Sequence, residues 1–247
     1  MNFTVLPDET LEDLQINNLF ILQKKDTFRF GMDAILLSNF VTAGKGTRIL
    51  DLGTGTGIIP ILLSAKTQAG HITGIDIQAD IVDMAKRSVR GNMLEAIIEI
   101  IECDIKKVIE LLKPASYDIV VTNPPYMRAG SGFVNPEQGK AIARHEIFCT
   151  LQDVLSSAAS MLKPNGEFFM VNRPDRLADA LEGMRRVKLE PKVLRLVSSK
   201  YNSAPNLFLI KAIKNGNPGL KIMPNLIIYN QDGQYTEELK VMYNIKN

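Results

Sequence analysis

From Thr47 onward, short apolar runs alternate with longer segments whose apolar residues recur every three or four positions. TRILDL, GHITGID, IIEII, YDIVVT and GEFFMVN are too short for typical helices and rich in β-branched or aromatic residues, so they predict strands. The segments between them predict helices. GIIPILLSAK tolerates Pro60 if that residue lies in the first turn, where its missing N–H would have no partner anyway. DIVDMAKRSVRGNM gathers Ile81, Met84, Ala85 and Val89 on one face, and DIKKVIELL predicts a short helix. TLQDVLSSAASML offers Thr150 as a cap with Asp153 in the first turn. KPNG then predicts a turn, and PDRLADALEGMRRV a helix with proline near its start.

Strands alternating with helices imply a mostly parallel sheet covered on both faces, an α/β architecture. Two further β-rich stretches, EPKVLRLVSS and NLFLIKAIK, follow with no helix between them and so pair antiparallel. The expectation is a seven-stranded Rossmann-like sheet with one reversed strand. Residues 46–214 form this body. Residues 1–45 precede it with a β-like LFILQ and a helical GMDAILLSNF. KNGNPGLKIMPN, rich in Gly, Asn and Pro, closes the body, and 215–247 reads as an appended tail with an Asn/Asp/Gly turn.

Composition narrows the class. At 247 residues, 45% hydrophobic and 23% charged, the chain can bury a substantial core and is not of the disordered kind. The apolar run Ile58 to Leu63 is far shorter than the roughly 20 residues a membrane span requires. The opening MNFTVLPDETLED lacks the basic-then-apolar layout of a secretory signal. Cys103 and Cys149 form no C-x-x-C pair and the two histidines are isolated, so no metal site and a reducing cytoplasm are expected. A monomer is the expected state. Net charge is only +2, yet residues 173–200 carry eight basic against four acidic side chains, Arg185 and Arg186 among them. Such an excess can track phosphates, or can simply be a solvated face.

Chemistry concentrates after the first strand of the body, in Asp51-Leu52-Gly53-Thr54-Gly55-Thr56-Gly57. Glycines between strand and helix let backbone approach a ligand closely. A G-x-G-x-x-G fingerprint counted from Gly53 would need glycine at Ile58, and counted from Gly55 at Pro60, so a dinucleotide site fails. No Lys-Ser/Thr pair follows, which excludes a phosphate-cradling P-loop. S-adenosylmethionine remains: it carries an ammonium, a sulfonium and a ribose, and favours carboxylates. Asp51 can serve its cationic methionyl part. Asp76, with Ile77 beside it, ends the second strand where an acid can accept from ribose hydroxyls. Asp104 follows the third strand and can reach the adenine amino group, with Cys103 bordering the ring. Three acids ending successive parallel strands line one crevice.

The fourth strand runs into Asn123-Pro124-Pro125-Tyr126. Two prolines there end regular pairing, because each lacks an N–H and fixes φ. Taken alone, the tetrad is either a tight turn or a rigid holder for chemistry.

DLGTGTG, GID, the ECD acid and NPPY together resemble the Rossmann-like, S-adenosylmethionine-dependent methyltransferases, in which NPPY marks enzymes acting on a planar, conjugated NH₂ nitrogen. FRFGMDAILLSNF and the tail LIIYNQDGQYTEE narrow the likeness to bacterial tRNA adenine-N6 methyltransferases acting on valine tRNA beside the anticodon. The resemblance spans nearly the whole chain. It implies that Asn123, also in contact with the cofactor, offers its amide oxygen and Pro124 its carbonyl to the two N–H bonds of an adenine. Pro125 stiffens that carbonyl, and Tyr126 stacks on the base, a contact typically worth ~1–3 kcal/mol. The product of the donor is S-adenosylhomocysteine. The first 45 residues then cover the cofactor cleft. A tRNA partner suits the long segment 127–146, whose Arg128, Lys140 and Arg144 can embrace an unpaired substrate loop. Three alternatives stay open: a release-factor glutamine methyltransferase, which normally carries a helical N-terminal domain; a guanine-N2 rRNA methyltransferase, more often with Phe at position 126; and a non-catalytic cofactor-binding module.

Overall fold

The computed structural model describes residues 2–25, 31–124 and 149–245. The front forms an antiparallel hairpin of β1 (Glu9–Asp13) and β2 (Phe20–Lys24), followed by α1 (Met32–Phe40). The alternating body then gives β3 (Arg48–Leu52), α2 (Ile58–Lys66), β4 (His71–Asp76), α3 (Ala79–Gly91) and β5 (Ile98–Glu102). A 3₁₀ turn, Ile105–Lys107, leads into α4 (Val108–Leu111) and β6 (Tyr117–Thr122). After the undescribed segment come α5 (Leu151–Met161), β7 (Leu162–Asn172), α6 (Leu177–Arg186), β8 (Leu189–Ser198) and β9 (Pro205–Lys214). The C-terminal segment adds β10 (Lys221–Ile222), β11 (Leu226–Ile227) and α7 (Glu237–Met242).

The main sheet runs β10-β8-β9-β7-β6-β3-β4-β5, with β11 also on β8. Only β9 is reversed among its described strands: it pairs antiparallel with β7 and β8, while every other pairing is parallel. The expected seven strands are all present, and two two-residue strands extend them beside β8.

Local chemistry accounts for the element ends. Pro60 is the third residue of α2, where no intrahelical N–H is lost. Thr150 caps α5 through a reciprocal box: its hydroxyl accepts from the Asp153 N–H at 3.2 Å, and the Asp153 carboxylate accepts from the Thr150 N–H at 2.8 Å. KPNG differs from the expected simple turn. It lies inside β7 as a bulge, with Asn165 at φ 61°; Tyr117 faces Leu162 whereas Ile119 already faces Glu167.

Side chains alternating along each strand feed two cores. Ile49, Val121, Phe169 and Leu209 pack under α1, α2 and α3, while Leu50, Val120, Phe168 and Ile210 pack under α4, α5 and α6. Adjacent Phe168 and Phe169 are both buried, one on each face, and each such side chain stabilises the fold by roughly 1.5–3 kcal/mol.

The C-terminal segment is packed rather than trailing. Leu226, Ile228 and Leu239 are buried in the first core. Arg195 of β8 pairs with Glu238 at 2.7 Å and donates to the Pro224 carbonyl at 3.1 Å. Lys66 donates to the Met242 carbonyl at 2.9 Å, a cation at a helix C-terminus. Tyr229, Tyr235 and Tyr243 stack in sequence with centroids 5.4 Å apart at each step. At the other end of the chain, the Glu9 carboxylate accepts twice from Arg87 of α3, at 2.5 and 2.7 Å. Asn92 takes the Phe20 N–H on its side-chain oxygen at 2.9 Å and donates to the Phe20 carbonyl at 2.6 Å, completing the edge of β2.

Candidate active site

Strands β3 and β6 are neighbours, but their connections lead to opposite sides of the sheet: β3 continues to β4 and β5, and β6 to β7 and beyond. Ligand crevices of open α/β sheets form at such a switch, outside the strands' carboxyl ends. Register sets what lies there. Asp51 pairs with Gly74 of β4 on one side and Val121 of β6 on the other; Leu52 pairs with Thr122. The Thr122 hydroxyl donates to the Leu52 carbonyl at 2.9 Å, tying the two strand ends together. Gly53 and Asn123 are therefore the next residues on adjacent strands. The glycine loop and Asn123-Pro124 leave the sheet side by side.

The loop is folded by its own backbone. Gly53, Gly55 and Gly57 have φ of 76°, 54° and 83°, a region other residues rarely adopt. The N–H groups of Gly53 and Thr54 both donate to the Ile75 carbonyl, at 3.0 and 2.8 Å. Asp76 holds the loop from the other side: its carboxylate accepts from the Gly55 N–H at 2.9 Å and from the Gln78 N–H at 3.0 Å. No described atom lies within 4 Å of where a Gly55 Cβ would stand, so that face of the loop is open. Ile77, 47% exposed, follows Asp76 at the rim, an apolar surface beside an acid.

Asp51 is the electrostatic centre. It is fully buried, and neither carboxylate oxygen, nor the nearby Thr54 hydroxyl, has a hydrogen-bond partner among the described residues. Burial pushes its pKa up to about 7; Asp76 adds to the rise, and the closeness of Thr54 opposes it. A buried carboxylate without a donor is costly unless something cationic or hydrogen-donating reaches it. That unmet demand fits the ammonium end of S-adenosylmethionine.

Asp104 caps the 3₁₀ turn after β5, accepting from the Lys106 N–H at 2.9 Å. Cys103 is buried, and burial raises its thiol pKa, with Asp104 adding to the effect. Ile105 comes within 3.8 Å of the space beside Gly53, so the third acid's segment does border the loop. Asp51, Gly53, Thr54, Gly55, Gly57, Asp76, Ile77, Cys103, Asp104 and Asn123 are thus gathered at the carboxyl ends of β3 to β6.

Pro124 is buried directly after Asn123, and Pro125, Tyr126, Arg128, Lys140 and Arg144 lie outside the described residues. Arg185 and Arg186 end α6, which runs back towards the amino ends of the parallel strands. There β8 begins at Leu189, opposite Lys214, and the register places this end level with the start of β6. The structure does not bring that pair near Asn123. Both are also engaged within the chain, Arg185 with Glu190 at 3.2 Å and Arg186 with Glu182 at 2.5 Å. A cavity of about 610 Å³ among Thr47, Asp118, Lys163 and Glu167 lies at this same distant end and contains none of the strand-end acids. No group of His, Cys, Asp and Glu among the described residues could hold a metal ion, and no described helix is long and apolar enough to cross a membrane.

Gly74, the glycine of the GID motif, packs directly beneath the glycine loop, a role the motif alone does not reveal. A Cβ there would stand 2.7 Å from the Thr54 hydroxyl and 2.9 Å from Ile100, so glycine gives the Thr54 side chain room over β4. The signal was a glycine inside the strand HITGID, which marks a close approach of another group.

Comparison with known proteins agrees with this geometry. A family model described as "Methyltransferase small domain" matches residues 30–188. The tRNA1(Val) (adenine(37)-N6)-methyltransferase of Phocaeicola vulgatus is 28% identical across 74% of this chain and 75% of its own. Its namesake in Bacteroides thetaiotaomicron is 28% identical, covering 92% of this chain and 93% of that one. Among solved structures, a predicted O-methyltransferase from Agrobacterium tumefaciens shares the fold with a TM-score of 0.71, at 22% identity over 86% of this chain and 96% of that one.

Proposed function

Since the chain belongs to the methyltransferase small domain family, we propose that it methylates the exocyclic N6 of an unpaired adenine in tRNA, using S-adenosylmethionine. The relatives' shared name points to adenine 37 of valine tRNA, in keeping with the anticodon-side adenine and the cytoplasmic place of action that the sequence leads us to expect. The observation that carries the reading is the register of β3 and β6, which sets Asn123 beside Gly53 with Asp51, unpartnered among the described residues, behind them.

S-adenosylmethionine supplies an electrophilic methyl group on a sulfonium. The chain's own residues bind, orient and stabilise. Asp51 attracts the ammonium, Asp76 accepts from ribose hydroxyls, and Ile77 and Ile105 border the adenine ring of the cofactor. The substrate nitrogen is a poor nucleophile because its lone pair is delocalised into the purine. The Asn123 amide oxygen and the Pro124 carbonyl take its two N–H bonds, which favours a pyramidal nitrogen and frees the lone pair. Positive charge then develops on that nitrogen, facing two fixed acceptors, before a proton is lost to water. Fixed dipoles and positioning supply the acceleration, so no strong base is required. Tyr126 stacks on the target base, which must be unpaired or flipped to arrive there.

Incubating the protein with labelled S-adenosylmethionine and total tRNA, followed by nucleoside mass analysis, tests the proposal. N6-methyladenosine is the expected product. Label on a release-factor glutamine or on guanine, with none on adenine, overturns it.

A further inference from the structure

Tyr201 is 86% exposed, the only exposed aromatic side chain among the described residues. It sits in the turn between β8 and β9, and the strand registers locate that turn. Thr122 of β6 is level with Met170 of β7, Met170 with Ile210 of β9, and Ile210 with Leu194 of β8. Strand β8 therefore continues four residues beyond the level where β6 ends. The turn projects past the sheet on the same side as Asn123, three strands away, or roughly 14 Å across the sheet at ~4.8 Å per strand.

The turn is held rigidly. The Ser203 hydroxyl accepts from the Lys200 N–H at 2.8 Å and lies 3.0 Å from the Ser199 hydroxyl; the Ser203 N–H returns to the Lys200 carbonyl at 3.1 Å. The C-terminal segment braces its base, with the Ile228 and Tyr229 N–H groups donating to the Ser198 and Ser199 carbonyls at 3.0 and 2.9 Å. An exposed aromatic on a stiff projection loses little conformational freedom when a partner stacks on it. Its neighbours suit a polyanion: Lys200 and Asn202 are exposed beside it, and Arg173 is exposed where β7 ends on the same rim.

We propose that the β8–β9 turn is a second RNA contact, in which Tyr201 stacks on an unpaired nucleobase flanking the target and Lys200 meets a backbone phosphate. Single-stranded RNA is bound in this way, by aromatic platforms for bases and cations for the backbone. The inference rests on the tRNA reading above and extends it from the methylated base to the loop that presents it. It also gives the packed C-terminal segment a role, as the brace of this turn.

The test is equilibrium binding of an anticodon stem-loop RNA, together with steady-state methyl transfer, for the parent protein and three variants. Tyr201→Ala is expected to weaken RNA binding and raise KM on the order of tenfold, with kcat at saturating RNA and cofactor affinity unchanged. Tyr201→Phe, which keeps the stacking face, is expected to restore parental values. Lys200→Ala is expected to lower the slope of log K against log salt by about 0.7, one phosphate contact on a single strand. A parent that binds and methylates the RNA while Tyr201→Ala stays within twofold of it overturns the proposed contact alone. A parent that methylates no RNA overturns the functional reading and this inference together.

Discussion

Asp51 and Gly74 are partners across β3 and β4, and the glycine's missing side chain is what lets Thr54 fold back over the strand beside the buried acid. Gly74→Ala places a Cβ 2.7 Å from the Thr54 hydroxyl. The Thr54 and Ile100 side chains must give way, and overpacking of this kind costs about 1–3 kcal/mol. Chemical denaturation is expected to show that loss, and calorimetry a matching loss of cofactor affinity. Parental values in both would remove Gly74 from the site.

The buried Asp51 carboxylate gives a pH signature of definite sign. In the unfolded chain Asp51 ionises near ~3.9, whereas in the fold its pKa is about 7. Between these values the native state retains a proton that the unfolded state has lost. Its contribution to stability is therefore present at low pH and falls as pH rises from about 4 to about 7, by about 4 kcal/mol in the free protein. A cationic ligand favours the ionised form and reverses the balance. Calorimetry in buffers of different ionisation enthalpy is expected to find close to one proton released per S-adenosylmethionine bound at ~pH 6 and almost none at ~pH 8. Asp51→Asn should abolish the release; if the variant still expels the proton, the acid facing the cofactor is another group.

Asn123→Ala separates chemistry from cofactor binding. Loss of one preorganised polar partner typically slows turnover about 100- to 1,000-fold. Rapid-quench measurement of methyl transfer is expected to show a fall of that size, with S-adenosylmethionine affinity within twofold of the parent. Equal damage to both would place the amide among the cofactor's contacts only.

At the front, Arg87 and Glu9 form a pair with side-chain exposures of 11% and 2%. Removing the guanidinium strands a buried carboxylate, and such losses run to about 3–5 kcal/mol. Arg87→Ala is expected to release the β1–β2 hairpin from α3, seen as new hydrogen exchange in residues 9–24. Hydrogen bonding from Arg87 holds the Glu9 pKa below its ordinary value. The pair's contribution is therefore present above the usual glutamate pKa and lost as pH falls through the lowered one. A hairpin that stays protected in the variant would show that the Asn92 bonds to Phe20, the Leu22 N–H bond to the Ser88 hydroxyl at 3.0 Å and the edge contact of Phe3 with Phe20 suffice.

Local patterns made much of the fold legible. Alternation of strand and helix, Thr150 with Asp153, and the absence of a helix between β8 and β9 all act over a few residues, so each leaves a mark in sequence. The placement of DLGTGTG, the strand-end acids and Asn123-Pro124 at one end of the sheet was legible for the same reason, since the ends of parallel strands lie together. What the chain alone determined was therefore the list of elements and the chemistry at their ends. Only the tertiary structure decided which distant surfaces meet. Arg185 and Arg186 lie at the wrong end of α6, Tyr201 projects on the same side as Asn123, and Gly74 passes under Thr54. The C-terminal segment braces a turn that no motif marked. These are consequences of strand order and register, which depend on the packing of segments far apart in the chain and so carry no local periodicity to read.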